Sequence, residues 1–140
     1  MLAELMDFGT TLTFFRGVND DIKKRIAENI HQPDRVVMSW LLALNTVRNR
    51  CAHHARLWDW EIGTPVLTPQ RKKFPMWHSP ALPNNRIGIA LTICRYWQNQ
   101  ISPTNGWTQR ILNLFDEFTL VDPVRMGLPI DWRNHPLWRT

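Results

Sequence analysis

The chain has 140 residues, enough for one domain with a moderate core. Hydrophobic residues at 44% and charged residues at 21% exclude a disordered chain; no apolar run spans a bilayer or opens the chain as a signal peptide, so a cytoplasmic location without a membrane partner is expected. Seventeen basic against twelve acidic side chains leave a net charge of +5, which tolerates a polyanion such as RNA without requiring one.

Met1 to Arg16 reads as a helix already under way at its first residue, with a break near Gly9-Thr10 where Thr10 or Thr11 caps a second segment. Gly17-Val18-Asn19 is a turn, and Asn19 or Asp20 caps a helix from Asp21 to Asn29, with Ile22, Ile26 and Ile30 at four-residue spacing. His31-Gln32-Pro33 ends it. Asp34 caps the longest run, Arg35 to about Trp58, which contains neither glycine nor proline. From Asp59 to Pro83 five prolines exclude regular helix, and a long loop carries the basic run Arg71-Lys72-Lys73. Val66-Leu67-Thr68 is its only strand candidate, short and flanked by Pro65 and Pro69. Asn84 or Asn85 opens a helix from Arg86 to Ile101, with Ile87, Ala90, Leu91, Cys94 and Trp97 on its apolar face. A last amphipathic helix runs from about Trp107 to Phe118, and the tail from Asp122 is compact and irregular with one helical turn. The fold class is therefore all-α, a helical bundle with a long proline-rich loop, in a single domain over 1–140.

Spacing residues 100° apart divides the longest helix into two faces. Val36, Trp40, Ala43, Leu44, Val47 and Cys51 form a core stripe. Asn45, Arg48, Asn49, Ala52, His53 and Arg56 form a polar stripe that follows Met38, Leu41 and Leu42 on the same side. The division sends His54 to the apolar side and keeps His53 with Arg48 and Asn49. Apolar residues bordering the polar stripe imply a cover, from another subunit or another part of the chain. Cys51 and Cys94 are expected to be reduced and buried, with a disulfide between them as the lesser alternative. Most of the eight tryptophans belong in the core, and a few are free to stack on a partner or on bases.

The polar stripe suits RNA cleavage. Histidine exchanges protons near neutral pH, as needed at a ribose 2′-hydroxyl or a leaving 5′-oxygen. Arginine holds a phosphate while its charge grows, and asparagine orients either partner. No metal or other cofactor is required. The competing reading is a helix end decorated with solvated polar residues.

Asn45-Thr46-Val47-Arg48-Asn49-Arg50-Cys51-Ala52-His53-His54-Ala55-Arg56-Leu57-Trp58 closely resembles the signature of the Abi family, the bacterial abortive-infection proteins of D and F type. Asp7-Phe8-Gly9-Thr10 resembles the segment ahead of that signature, and Met126-Gly127-Leu128-Pro129 with Trp132 and His135-Pro136-Leu137-Trp138 resembles the family's ending. The likeness spans nearly the whole chain and corresponds to the C-terminal part of a longer family protein, so an N-terminal region is expected beyond this chain. The signature is similar in turn to the Arg-x4-His motif of HEPN domains, here Arg48, Asn49 and His53. That resemblance implies an all-α HEPN-like bundle whose homodimer brings two motifs face to face. It also implies metal-independent endoribonuclease activity in phage defence. The alternative it leaves is a non-catalytic HEPN-like interaction or RNA-binding module of a toxin-antitoxin or phage-resistance system, restrained by an RNA or protein antitoxin.

The catalytic candidates are thus Arg48 as phosphate binder, Asn49 as orienting group and His53 as general acid/base. The RNA-binding candidates are Arg56, Asn45, Arg71, Lys72 and Lys73, the last three beside Phe74 and Trp77. Arg56 has a competing partner in Asp59 near the helix end. No metal site is expected, because adjacent histidines on a helix point to different faces and no second ligand pair has suitable spacing.

Overall fold

Each proline-free stretch with helical apolar spacing forms a helix in the computed structural model, which describes residues 7–104 and 106–139. Helix α1 spans Phe8–Gly17. Its N-cap is Asp7, whose carboxylate accepts the Thr10 amide at 2.7 Å, so the helix passes through Gly9 and Thr10 without the expected break. The expected helix start at Met1 falls outside the described residues. Helix α2 spans Asp20–Glu28 and is capped by Asn19, which accepts from the Ile22 amide at 2.9 Å. Helix α3 spans Asp34–Ala52, α4 spans Ile87–Ile101 and α5 spans Trp107–Glu117. Among the described residues there is no strand, only isolated bridges of Glu61 with Arg86 and His78 with Ala81, so Val66-Leu67-Thr68 is not one. No helix among them is long and apolar enough to cross a membrane. The fold is all-α, as expected.

Helix α3 is the axis of the molecule because it is apolar on two sides. On one side Val36, Trp40 and Ala43 pack with Ile87, Ala90 and Ile93 of α4 and with Ile62, Val66, Trp77 and Leu82 of the loop. Trp40 is fully buried, with its ring 5.0 Å from that of Trp77 and 5.8 Å from that of Trp97. Truncating such a buried indole costs about 3–5 kcal/mol. On the other side Val37 and Leu41 meet Leu12 and Phe15 of α1 and Ala27 of α2. The cover required by Met38 and Leu41 is therefore α1, while Leu42 stays exposed. Of the α2 isoleucines, Ile22 and Ile26 are exposed, and Ala27 is the residue that helix buries.

The segment between α3 and α4 is a fitted cover. It turns back along α3: Ile62 to Pro65 lie beside Ala43 and Thr46, and the Leu67 amide donates to Ser39 Oγ at 2.9 Å. The Trp40 indole donates to the Leu67 carbonyl at 2.8 Å. Asn84 and Asn85 do not cap α4; their carbonyls accept from the Val66 and Ile62 amides at 2.7 and 2.6 Å, and Arg86 takes the cap position. Asp34 likewise is the first helical residue of α3, behind Pro33, whose fixed φ suits the entry.

The tail closes over α4 and α5. The Gly88 amide donates to the Met126 carbonyl at 2.7 Å, so the chain crosses the start of α4 where no side chain intervenes. Leu128, Trp132 and Trp138 form a third cluster against Ile111 and Phe115 of α5. Buried Arg95 ties α4 to it by donating to the carbonyls of Leu137 and Arg139 and to the Thr108 hydroxyl.

Candidate functional site

Helix α3 stops earlier than its sequence suggests. The His54 amide donates to the Cys51 carbonyl at 2.9 Å and the Ala55 amide to the Arg50 carbonyl at 3.1 Å, while His54 takes φ +52°. This pair of bonds around a left-handed residue is the Schellman ending, with histidine where glycine usually stands. The helix therefore ends at Ala52 with His53 as its C-cap, not near Trp58, and residues 54–58 have no helical face. His54 is exposed rather than turned to an apolar side, and Cys51 is exposed rather than part of the core stripe, which ends at Val47. Cys51 and Cys94 are both free thiols, and burial pushes the Cys94 thiol up.

The same ending closes α2: His31 has φ +54°, its amide donates to the Glu28 carbonyl, and the Gln32 amide donates to the Ala27 carbonyl. Two histidines thus serve as helix stops through their backbones. Two more are held by their rings. His78 Nε2 bonds the Pro69 carbonyl at 2.6 Å, and His135, 1% exposed, sits between the Pro80 carbonyl and the Leu137 amide. His53 is the remaining one. Its backbone amide donates to the Asn49 carbonyl at 3.1 Å as the C-cap of α3, and its ring is exposed.

Arg48, Asn49 and His53 emerge together on the terminal turn of α3, all exposed. Arg48 Nη1 donates to Asn49 Oδ1 at 3.0 Å. Asn49 thus orients the guanidinium, and its side chain is not bonded to His53. Arg48 also feels the start of α1. The Asp7 carboxyl is held below its usual range by the Thr10 hydrogen bonds first, with the positive charge of Arg48 adding to them. Asn45 is half-buried on the same flank, its side-chain oxygen 4.0 Å from where a methyl group on Gly9 would stand. Asp7, Asn45, Arg48 and Asn49 therefore form one polar edge where α1 begins beside α3. The expected cap was Thr10 or Thr11, and Asp7 was legible in the sequence neither as the cap nor as a neighbour of Arg48.

A second group lies on the opposite flank of the same helix end. Arg50 Nε donates to the Arg56 carbonyl at 2.9 Å, and its guanidinium lies 4.5 Å from the centre of the Trp60 ring. Arg56 stands 5.7 Å and Arg125 4.8 Å from the centre of the Trp58 ring. Asp59 pairs with Arg86 at 3.3 Å and with Arg125, so the expected Arg56–Asp59 pair is replaced by two others. Arg86 also pairs with Glu61 at 2.6 Å. Arg50, Trp58 and Arg125 had not been singled out as functional candidates from the sequence.

Arg71, Lys72 and Lys73 are exposed, but they lie elsewhere. Lys73 and Phe74 line a cleft with His31, Gln32 and Pro33, at the start of α3. The helix has 19 residues, so its two ends stand about 27 Å apart at the usual helical rise. The structure brings Asn45 and Arg56 to the Arg48–His53 end and leaves the basic run at the other.

No curated protein and no solved structure matches the chain. Residues 1–59 match the family model described as Abi-like protein, a stretch that holds α1 to α3 and the whole Arg48–His53 turn. That match covers less than half of the chain and is a likeness to the Abi family over its first three helices.

Proposed function

We propose that the chain is a phage-defence protein of the abortive-infection kind that cuts RNA at the Arg48–His53 turn without a metal ion. The family match supports the phage-defence role. The observation that carries the nuclease reading is the joint exposure of Arg48, Asn49 and His53 on one helix end, while the rings of His78 and His135 are held by hydrogen bonds and the backbones of His31 and His54 take left-handed helix stops. In this reading the ribose 2′-oxygen attacks the adjacent phosphorus and the bond to the 5′-oxygen breaks. The products are a 2′,3′-cyclic phosphate and a free 5′-hydroxyl. One histidine takes the 2′-hydroxyl proton and a second supplies a proton to the leaving 5′-oxygen. Two proton transfers need two imidazoles, and a homodimer that pairs two His53 rings would supply both. Arg48, held by Asn49, bears the growing charge on the phosphate.

Purified protein incubated with mixed RNA in EDTA should yield 5′-hydroxyl fragments, and Arg48→Ala and His53→Ala should each cut slower by about 10²- to 10⁴-fold. Wild-type protein that leaves RNA intact, or a particle that stays monomeric by light scattering while cutting, refutes the paired-site mechanism. A non-catalytic interaction module of a toxin-antitoxin or phage-resistance system is the second reading. It is favoured by the apolar flank of α5, where Leu114 and Phe118 are about half exposed at 48% and 54%.

A further inference from the structure

We infer that Arg50, Arg56 and Arg125, gathered on the rings of Trp58 and Trp60, form a phosphate-binding cradle for single-stranded RNA beside the Arg48–His53 turn. The inference rests on RNA being the ligand of that turn.

Three observations carry it. The first is charge. Four guanidiniums, of Arg50, Arg56, Arg86 and Arg125, converge where two carboxylates, of Asp59 and Glu61, pair with Arg86 and Arg125. Arg86 alone engages both acids, so the group keeps an excess of two positive charges. The second is geometry. Arg56 and Arg125 share one indole, at 5.7 and 4.8 Å from its centre, although like charges so placed repel. The ring face attracts both cations and keeps water from one side of each, while the side chain of Arg125 stays 54% exposed and Arg56 is exposed too. An anion bridging them would relieve the repulsion, and a planar guanidinium offers paired donors to a phosphate. The third is origin. Arg125 arrives from the tail, 66 residues along the chain from Asp59, so the cradle exists only when the tail is docked. Guanidinium planes and half-buried indoles suit an unpaired strand, whose bases can stack and whose phosphates are reached singly.

A tail held by Asp59 and Trp58 for stability alone would show the same contacts, and salt dependence separates the two. Binding of a fluorescent single-stranded RNA with methylated 2′-oxygens, which cannot be cut by 2′-oxygen attack, is followed by anisotropy over a range of salt, with wild type, Arg125→Gln, Arg56→Gln and an Arg110→Gln control on exposed α5. In the cradle, Arg125→Gln and Arg56→Gln each weaken binding about three- to tenfold and flatten the log–log salt slope by about 0.7, the loss of one single-strand phosphate contact. The control changes neither. Arg56→Gln breaks no ion pair and keeps the backbone bond to Arg50, so it serves even where Arg125→Gln loosens the tail. Unchanged affinity and slope in Arg56→Gln, with a lowered melting point in Arg125→Gln, overturns the cradle. If wild type still cuts RNA in that case, the cleavage reading stands without it. Wild type that neither binds this strand nor cuts unmodified RNA overturns both.

Discussion

Replacing His54 with glycine should make the protein more stable and leave the RNA chemistry intact. His54 holds φ +52° because the chain leaves α3 through a Schellman ending, and the two bonds of that ending use backbone atoms alone. The left-handed region costs a residue with a Cβ about 1–2 kcal/mol, which glycine escapes. Glycine in turn loses about 0.5–1 kcal/mol more backbone entropy on folding. The difference is a net gain of about 0.5–1 kcal/mol, or about 2–4 °C in melting temperature for a chain of this size. His54→Val should move the other way by more than 1 kcal/mol, roughly, because a branched Cβ tolerates positive φ least. Urea midpoints and thermal melts followed by circular dichroism measure both changes, and RNA cleavage in EDTA is run beside them. Rising stability with full cleavage in His54→Gly, against lost cleavage in His53→Ala, divides the two neighbours into a helix stop and a proton carrier. A destabilised His54→Gly, or one as slow as His53→Ala, refutes the division.

Three other outcomes follow from the packing and from one buried imidazole. Gly127→Ala should cost about 3 kcal/mol or more: φ is +85° there, and a Cβ would stand 2.4 Å from Arg86 Cβ at the start of α4. Gly88→Ala should cost a similar amount, because its Cβ would stand 2.8 Å from the Met126 carbonyl oxygen, whereas Gly63→Ala, with open space around it, should be nearly neutral in the same urea titration. His135 lies below the usual histidine range because burial outweighs the pull of the Pro80 carbonyl, so the unfolded chain takes up the proton more readily than the folded one. Its contribution is complete above the unfolded value of about 6.5 and is lost as pH falls through the lower folded value, so the wild-type urea midpoint should drop more steeply on acidification than that of His135→Asn.

The helices were readable where local chemistry decides them. Asn19 before an apolar repeat, Pro33 at the entrance to α3 and Pro103 after α4 act on their own neighbours, and they mark boundaries in the sequence as they do in the fold. The end of α3 was not readable for the same reason in reverse. No glycine or proline stands between Asp34 and Trp58, and the stop is a histidine in a conformation few side chains adopt. That one residue undoes the face assignment beyond Ala52. It exposes His54 and leaves His53, bonded to the Asn49 carbonyl, as the last residue held to the helix. The helical angle therefore places His53 beside Arg48 and Asn49 but no longer assigns His54 to a face. What now favours His53 is that the backbone conformation of His54 serves the helix stop.

The contents of the site divide along the same line. Arg48 and Asn49 are adjacent in sequence, and although neighbouring side chains point about 100° apart on a helix, the long arginine reaches Asn49 Oδ1, so their bond is a local matter. The presence of Arg125 is decided far from the site. It depends on Gly88 lacking a side chain where the Met126 carbonyl crosses α4, and on Gly127 accepting a positive φ against Arg86. Arg86 itself holds Asp59 and Glu61, so the residue that crowds Gly127 also anchors the acid to which Arg125 binds. The Met126-Gly127-Leu128-Pro129 segment therefore has a physical role. It is the joint that carries an arginine from the tail to the end of α3, and a side chain at Gly127 should weaken RNA binding through Arg125 as well as stability. If Gly127→Ala lowers stability while the salt slope of RNA binding keeps its wild-type value, the joint holds the fold together and does nothing for the ligand.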